Sequence, residues 1–197
     1  MVVIAIDGPA GAGKSTVARE VARRLGYRYL DTGAMYRAVA LAAMDVGVDV
    51  TDAKAVAGLA GLATTMTSDA RLRTPLVEAR VSTAASHPEV REALRVAQRR
   101  FLAEGDAVAE GRDIGAVVWP AAELKVWLDA ESGERARRRS AQAGESEART
   151  KRAIEERDRR DAANTLRSPD AVAIDTTGLG PDEVVESILA LARTRGA

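Results

Sequence analysis

The chain has no cysteine and a single histidine, His87, among its 197 residues. The first absence excludes a disulfide scaffold, a thiol nucleophile and a Cys-ligated zinc or iron–sulfur centre. The second excludes any site that needs two imidazoles. No apolar run approaches the roughly 18 residues of a membrane span. The opening stretch MVVIAIDGPAG has no basic leader and its short apolar run stops at Asp7, so neither signal peptide nor anchor is expected, and the expected compartment is the cytoplasm. Charge of one sign is also missing. Lys and Arg total 29 against 29 Asp and Glu, which argues against a protein that coats nucleic acid or membrane by bulk charge. With no obvious apolar stripe to spare, a monomer is expected. Lysine is scarce, with four (Lys14, Lys54, Lys125, Lys151) beside 25 arginines. A coding bias is enough to explain that ratio, but Arg forks also suit phosphate, and position has to decide.

What is present is a soluble globular balance, 46% hydrophobic and 29% charged, in a length that allows one domain carrying inserted sub-domains. Val2–Ile6 is a continuous, β-branched apolar run, as in a parallel strand buried on both faces. Lys14–Leu25 places Val17, Ala18, Val21, Ala22 and Leu25 at helical spacing and ends at Gly26. Tyr27–Leu30 reads as the next strand, so the first thirty residues form a βαβ unit of a parallel α/β sheet. Ala107–Ala109, Leu124–Leu128 and Val172–Ile174 fit further strands of a roughly five-stranded sheet. Helices are expected at Ala34–Met44, Pro88–Leu102, Glu134–Gln142, Glu147–Arg160 and Pro181–Arg193. Val48–Pro75 has weak periodicity and reads as a small insert. Gly144–Arg149 reads as a polar link between two Arg-rich helices. From Arg135 to Arg160 ten basic residues face five acidic ones, which on spacing alone fits a solvated pair of helices with i,i+4 ion pairs.

Gly8-Pro9-Ala10-Gly11-Ala12-Gly13-Lys14-Ser15, followed by Thr16, matches the phosphate-loop pattern G-x4-G-K-[ST] between an apolar strand and an amphipathic helix. Glycines let successive N–H groups turn towards phosphate oxygens, and the helix start directs its positive dipole end there. Lys14 is expected to reach the β/γ oxygens of a nucleoside triphosphate, and the Ser15 hydroxyl to ligate Mg2+. A guanine-reading Asn/Thr-Lys-x-Asp segment is absent, since the one asparagine, Asn164, is followed by Thr-Leu-Arg. A small P-loop chain with a late Arg-rich hairpin points instead to phosphoryl transfer to a small acceptor. A related kinase acting on UMP, AMP or a non-nucleotide acceptor, and a P-loop module that binds ATP to regulate a partner, remain open on these residues.

Asp7–Thr16 (DGPAGAGKST), Asp31–Arg37 (DTGAMYR), Glu110–Gly115 (EGRDIG), Leu128-Asp129-Ala130 and Arg157-Asp158-x-x-Asp161 occur in order. Together they resemble the bacterial cytidylate kinases, CMP/dCMP kinases of the adenylate-kinase-like P-loop class, over nearly the whole chain. The resemblance implies MgATP-dependent phosphorylation of CMP or dCMP. It implies a core sheet (about 1–33, 103–134 and 162–197), a monophosphate-binding insert (about 34–102) and an Arg-rich helical lid (about 135–161). Gly8 to Thr16 would hold ATP. Lys14, Arg112, Arg157 and Asp161 would be the catalytic set. Thr32 and Arg37 would hold the acceptor's ribose–phosphate end, Arg112 and Arg157 its phosphate, and Asp161 its sugar hydroxyl. Ser82, Arg91 and Asp113 would read the cytosine edge, whose amino donor and two acceptors suit a carboxylate, a guanidinium and a hydroxyl. Arg157 and Asp161, four apart, share a helix face, and an intrahelical ion pair is the competing reading. Glu110, at a strand end, is a candidate for orienting water around Mg2+.

The family string R-D-x-x-D-S-x-R is here RDRRDAAN, with Asn164 in place of a phosphate-binding Arg. Arg167 or Arg160 is the expected stand-in. The family's S-P-L-x-x-A-x-D-A stretch is shortened to Ser168–Ala171, and Val48–Arg73 is too short for the usual β-rich part of the insert.

Overall fold

The computed structural model describes residues 1–143 and 146–196. The chain forms two compact units, Met1–Leu30 with Gly105–Ala197, and Asp31–Glu104.

The first unit is built on strands β1 (Val3–Asp7), β2 (Arg28–Asp31), β3 (Ala107–Gly111), β4 (Leu124–Asp129) and β5 (Val172–Asp175), in the order β2-β3-β1-β4-β5. β1 runs parallel to β3 and β4, and β4 to β5, with Ile4 opposite Val108 and Leu124. β1 and β3 are buried at every position, which is why their sequences show no polar alternation. Helix α1 (Lys14–Leu25) and the closing helix (Pro181–Thr194) pack against the sheet through Val17, Val21, Val185, Ile188 and Leu189, onto Ile4, Ile6, Val126 and Leu128. Gly26 ends α1 in the left-handed conformation at φ 69°, and its neighbour Tyr27 donates back to Ala22 O.

The second unit contains only helices and turns among its described residues, apart from the end of β2. Its elements are α2 (Thr32–Asp45), α3 (Ala53–Ala57), α4 (Ala60–Ala63), α5 (Pro75–Ser86) and α6 (Pro88–Leu102). The short insert read at Val48–Pro75 thus folds as two single-turn helices and a 3-10 turn, without strands. Helix α5 was not expected from the sequence. Its Pro75 stands at the first turn, and Val77, Val81 and Ala84 are buried on one face, so a start signal and a stripe were there, diluted by small residues.

Beyond β4 come α7 (Ser132–Ala143), α8 (Glu147–Asp161) and, after β5, α9 (Pro181–Thr194). Of the polar link expected at 144–149, residues 144 and 145 lie outside the described residues, and α8 begins already at Glu147. No helix among the described residues is long and apolar enough to cross a membrane.

Asp7 ties the sheet to the segment after β3. Buried at the end of β1, it accepts N–H bonds from Ile114 and Gly115, each at 2.8 Å. Burial raises its carboxyl from 3.8 to about 6 despite those two donors. Folding therefore favours the protonated form. This group's stabilising contribution is full below about 3.8 and is lost as pH rises through about 6. A carbon-detected NMR titration of the Asp7 carboxyl should find a midpoint near 6; an ordinary carboxylate midpoint would remove the desolvation argument.

Gly8 allows a second close approach. A Cβ on it would lie 2.0 Å from the Leu128 carbonyl oxygen on β4, a distance that only movement of backbone could relieve. Gly8→Ala should cost about 3 kcal/mol or more in urea denaturation, the scale of strained overpacking. An unchanged midpoint would show that the loop shifts freely against β4.

Candidate functional site

The loop between β1 and α1 has the backbone its sequence requires. Gly11 and Gly13 take φ of 78° and 87°, in the left-handed region that suits glycine. Gly13 leads into α1, whose first turn carries no acidic residue, leaving its positive end unopposed. Lys14 is half-buried and donates from Nζ to Pro9 O at 2.7 Å. Burial, and then the guanidinium of Arg112, hold its amine below the usual range, with Arg157 acting in the same direction and Glu110 and Asp7 opposing. A cation so placed favours a bound anion, because an anion restores what desolvation removes.

Ser15 Oγ donates to Glu110 Oε2 at 2.8 Å, and Tyr29 hydroxyl donates to the other oxygen of the same carboxylate. Arg19 lies over the Tyr29 ring, 5.5 Å from its centroid. Glu110 is 3% exposed, so these bonds fix a carboxylate and a hydroxyl side by side at the start of α1. Both are hard oxygen donors of the kind Mg2+ accepts. No group of three or more His, Asp or Glu able to hold a metal exists among the described residues. A Mg2+ ion here would therefore complete its shell with water and phosphate, as that ion usually does.

Arg112, just past β3, donates to Asp161 Oδ2 at 2.9 Å and reaches Gly8 O at 3.5 Å. Asp158 lies 3.8 Å from it. Arg157 Nε is 3.6 Å from Asp161 Oδ2. The intrahelical pair suggested by spacing thus exists, but the same carboxylate also holds Arg112. Arg112 and the Arg157–Asp161 pair, far apart in sequence, meet in one cluster. Burial pulls the Arg112 guanidinium downward, while Asp161 supports its charge. Asp113, beside it, is 6% exposed.

Four other arginines of α7 and α8 pair with a carboxylate of their own helix. Arg137 and Arg138 pair with Glu134, and Arg159 and Arg160 with Glu156, as a solvated ion-paired surface requires. Arg138 also donates to the hydroxyl and carbonyl of Thr176, at 2.9 and 2.6 Å. The two expected stand-ins for the absent arginine at 164 are bonded to other partners. Arg167 donates to Ala171 O at 3.1 Å and lines a cavity with Trp127, Asp129 and Asp175, whereas Arg160 is taken by Glu156.

The other site residues expected from sequence, Thr32, Arg37, Ser82 and Arg91, belong to the second unit. Asp31 caps α2 by accepting from Ala34 N–H at 2.7 Å, and its other oxygen accepts from Arg37 at 3.0 Å. A Cβ on Gly33 would come within 3.1 Å of both the Arg37 guanidinium and Asp31 Oδ1. The string Asp-Thr-Gly…Arg is thus a local device that folds an arginine back over a helix start. Arg37 and Thr32 are 8% and 4% exposed. Arg91 on α6 is buried, 5.6 Å from the centroid of the Tyr36 ring, an attractive cation–π placement. Ser82 sits on α5.

Sequence reading missed Asp7, Tyr29 and Arg135 as parts of this site, and gave Asp158 no role. Asp7 and Asp158 stand inside the strings already quoted, but their partners lie too far along the chain for spacing to reveal them.

The family model for cytidylate kinase matches residues 4–194. The cytidylate kinase of Desulfitobacterium hafniense (strain Y51) is 44% identical over 212 aligned positions, covering 95% of this chain and 91% of the relative. That of Symbiobacterium thermophilum is 45% identical, covering 95% and 94%. Among solved structures, a gluconokinase from Sinorhizobium meliloti 1021 superposes with a TM-score of 0.57 at 20% identity, over 99% of this chain and 94% of that one, a likeness of fold. With the phosphate loop, the half-buried acidic and basic cluster and the DTG and EGRD strings in one chain, and relatives that align over 95% of it, this protein belongs to the cytidylate kinase family.

Proposed function

We propose that the chain transfers the γ-phosphoryl group of ATP to CMP and dCMP, giving ADP and the cytidine diphosphates. The observation that carries this reading is the gathering of Lys14, Arg112 and Arg157 about the phosphate loop, in a member of that family. Gly8 to Thr16 cradle the triphosphate, with Lys14 answering its terminal charge. Ser15 would hold Mg2+, with Glu110 orienting water around it, and the ion would supply neutralisation of phosphate charge.

Arg112 and Arg157 meet the acceptor phosphate and Asp161 its sugar hydroxyl. Asp113 takes the cytosine amine, where uracil would present an acceptor and be repelled. Thr32, Arg37, Ser82 and Arg91 keep the roles of the family pattern, and α7 with α8 serves as the lid. No general base is required, because the attacking oxygen belongs to a phosphate already ionised near neutral pH. Catalysis then consists of alignment and of charge neutralisation by groups fixed beforehand.

ADP release with MgATP, measured against CMP, dCMP, UMP and AMP, should be at least about ten-fold faster with the two cytidine nucleotides, the discrimination a mispaired buried polar group imposes. No stimulation by CMP would end the proposal. Lys14→Met should lower kcat by about 100-fold or more, the scale of losing one charge-stabilising donor, while the dissociation constant for CMP, read by calorimetry, changes little. Unchanged turnover would remove Lys14 from the mechanism.

A further inference from the structure

Arg135, in the first turn of α7, is largely buried and meets three acceptors. Its Nε donates to Ala130 O at 3.1 Å, and its Nη1 to Ala10 O at 2.9 Å and to Asp158 Oδ2 at 2.5 Å. Asp158, on α8, accepts in turn from the Ala10 N–H at 3.4 Å through its other oxygen. One guanidinium and one carboxylate thus hold both backbone groups of Ala10, the third residue of the phosphate loop. A separate feature confirms how closely α7 is seated there. A Cβ on Gly11 would lie 3.0 Å from both the Cβ and the carbonyl oxygen of Arg135.

We propose that Arg135 and Asp158 form a clasp that sets the register of α8 on the phosphate loop, and that both are positioning residues for phosphoryl transfer. Arg157 precedes Asp158 by one residue and Asp161 follows by three, so fixing Asp158 fixes where both stand. Asp158 and Asp161 lie on one helix face and both approach Arg112, at 3.8 and 2.9 Å. The clasp carboxylate is also a counter-ion for a cluster whose members repel one another. Removing its charge leaves the loop's own phosphate donors in place and disturbs the alignment of the arginines.

This inference rests on the proposed reaction, and its test separates the two. In Asp158→Asn, kcat with MgATP and CMP should fall about ten-fold, as expected for a displacement of well under 1 Å, while the dissociation constant for ATP, from equilibrium binding without CMP, rises no more than two-fold. Asp158→Glu, which keeps the charge, should recover part of the loss and guards against a variant that folds poorly. Arg135→Gln should behave like Asp158→Asn, and the double variant should be no slower than the slower single one, since both remove the same contact. Full turnover in Asp158→Asn, equal weakening of turnover and ATP binding, or losses that multiply in the double variant would each overturn the clasp. If the wild-type enzyme ignores CMP, the reaction reading fails by itself. The clasp then stands or falls on tryptic cleavage of the nucleotide-free protein within residues 135–160, which should be several-fold faster in Asp158→Asn than in wild type.

Discussion

Like charges held close together in a poorly hydrated place set the terms for this molecule. Lys14, Arg112, Arg135 and Arg157 are near enough that the Arg112 and Lys14 charges are each opposed by their cationic neighbours. Such an arrangement survives only where carboxylates stand among the cations, because an uncompensated buried charge costs several kcal/mol. Asp7, Glu110, Asp158 and Asp161 fill that need, and three parts of the fold deliver them: the end of β1, the end of β3 and one face of α8. The parallel sheet matters here chiefly because it brings the ends of β1 and β3 together, with Asp7 opposite Gly111 in register.

The arrangement also explains why polar groups are buried in the least hydrated part of the sheet. Asp7 spends its two oxygens on the amides of Ile114 and Gly115, which pins the segment following Arg112 and Asp113. Glu110 spends its own on Ser15 and Tyr29. These residues act on the phosphate loop and its neighbours by holding geometry, which is the ordinary way enzymes of this chemistry lower a barrier.

Much of this was legible in the residues. Lys14–Leu25 and Pro88–Leu102 have the boundaries that their periodicity and end signals imply, and each expected strand is present within a residue or two at either end. The P-loop and the EGRD and DTG strings located most of the candidate residues. What could not be read was partnership across the chain. Nothing in the spacing connects Arg135 with Ala10, 125 positions earlier, or Tyr29 with Glu110, because those contacts follow from how strands are ordered in the sheet. Arg167 shows the converse. One helical turn beyond Asn164, it looked suited to replace the absent guanidinium, but the chain leaves helical geometry near that point, and the side chain turns to the Ala171 carbonyl.

Of the four cations in the cluster, three are guanidiniums, which keep their proton at any pH the protein tolerates. Lys14 alone is an amine, and its surroundings favour the form with a free electron pair. The other lysines differ: Lys54 and Lys151 project into solvent, and Lys125 is tied to Asp170 at 2.8 Å. The same desolvation that readies Lys14 for phosphate therefore also favours the unprotonated amine, the form with which acylating or carbamylating reagents shaped like a nucleotide react.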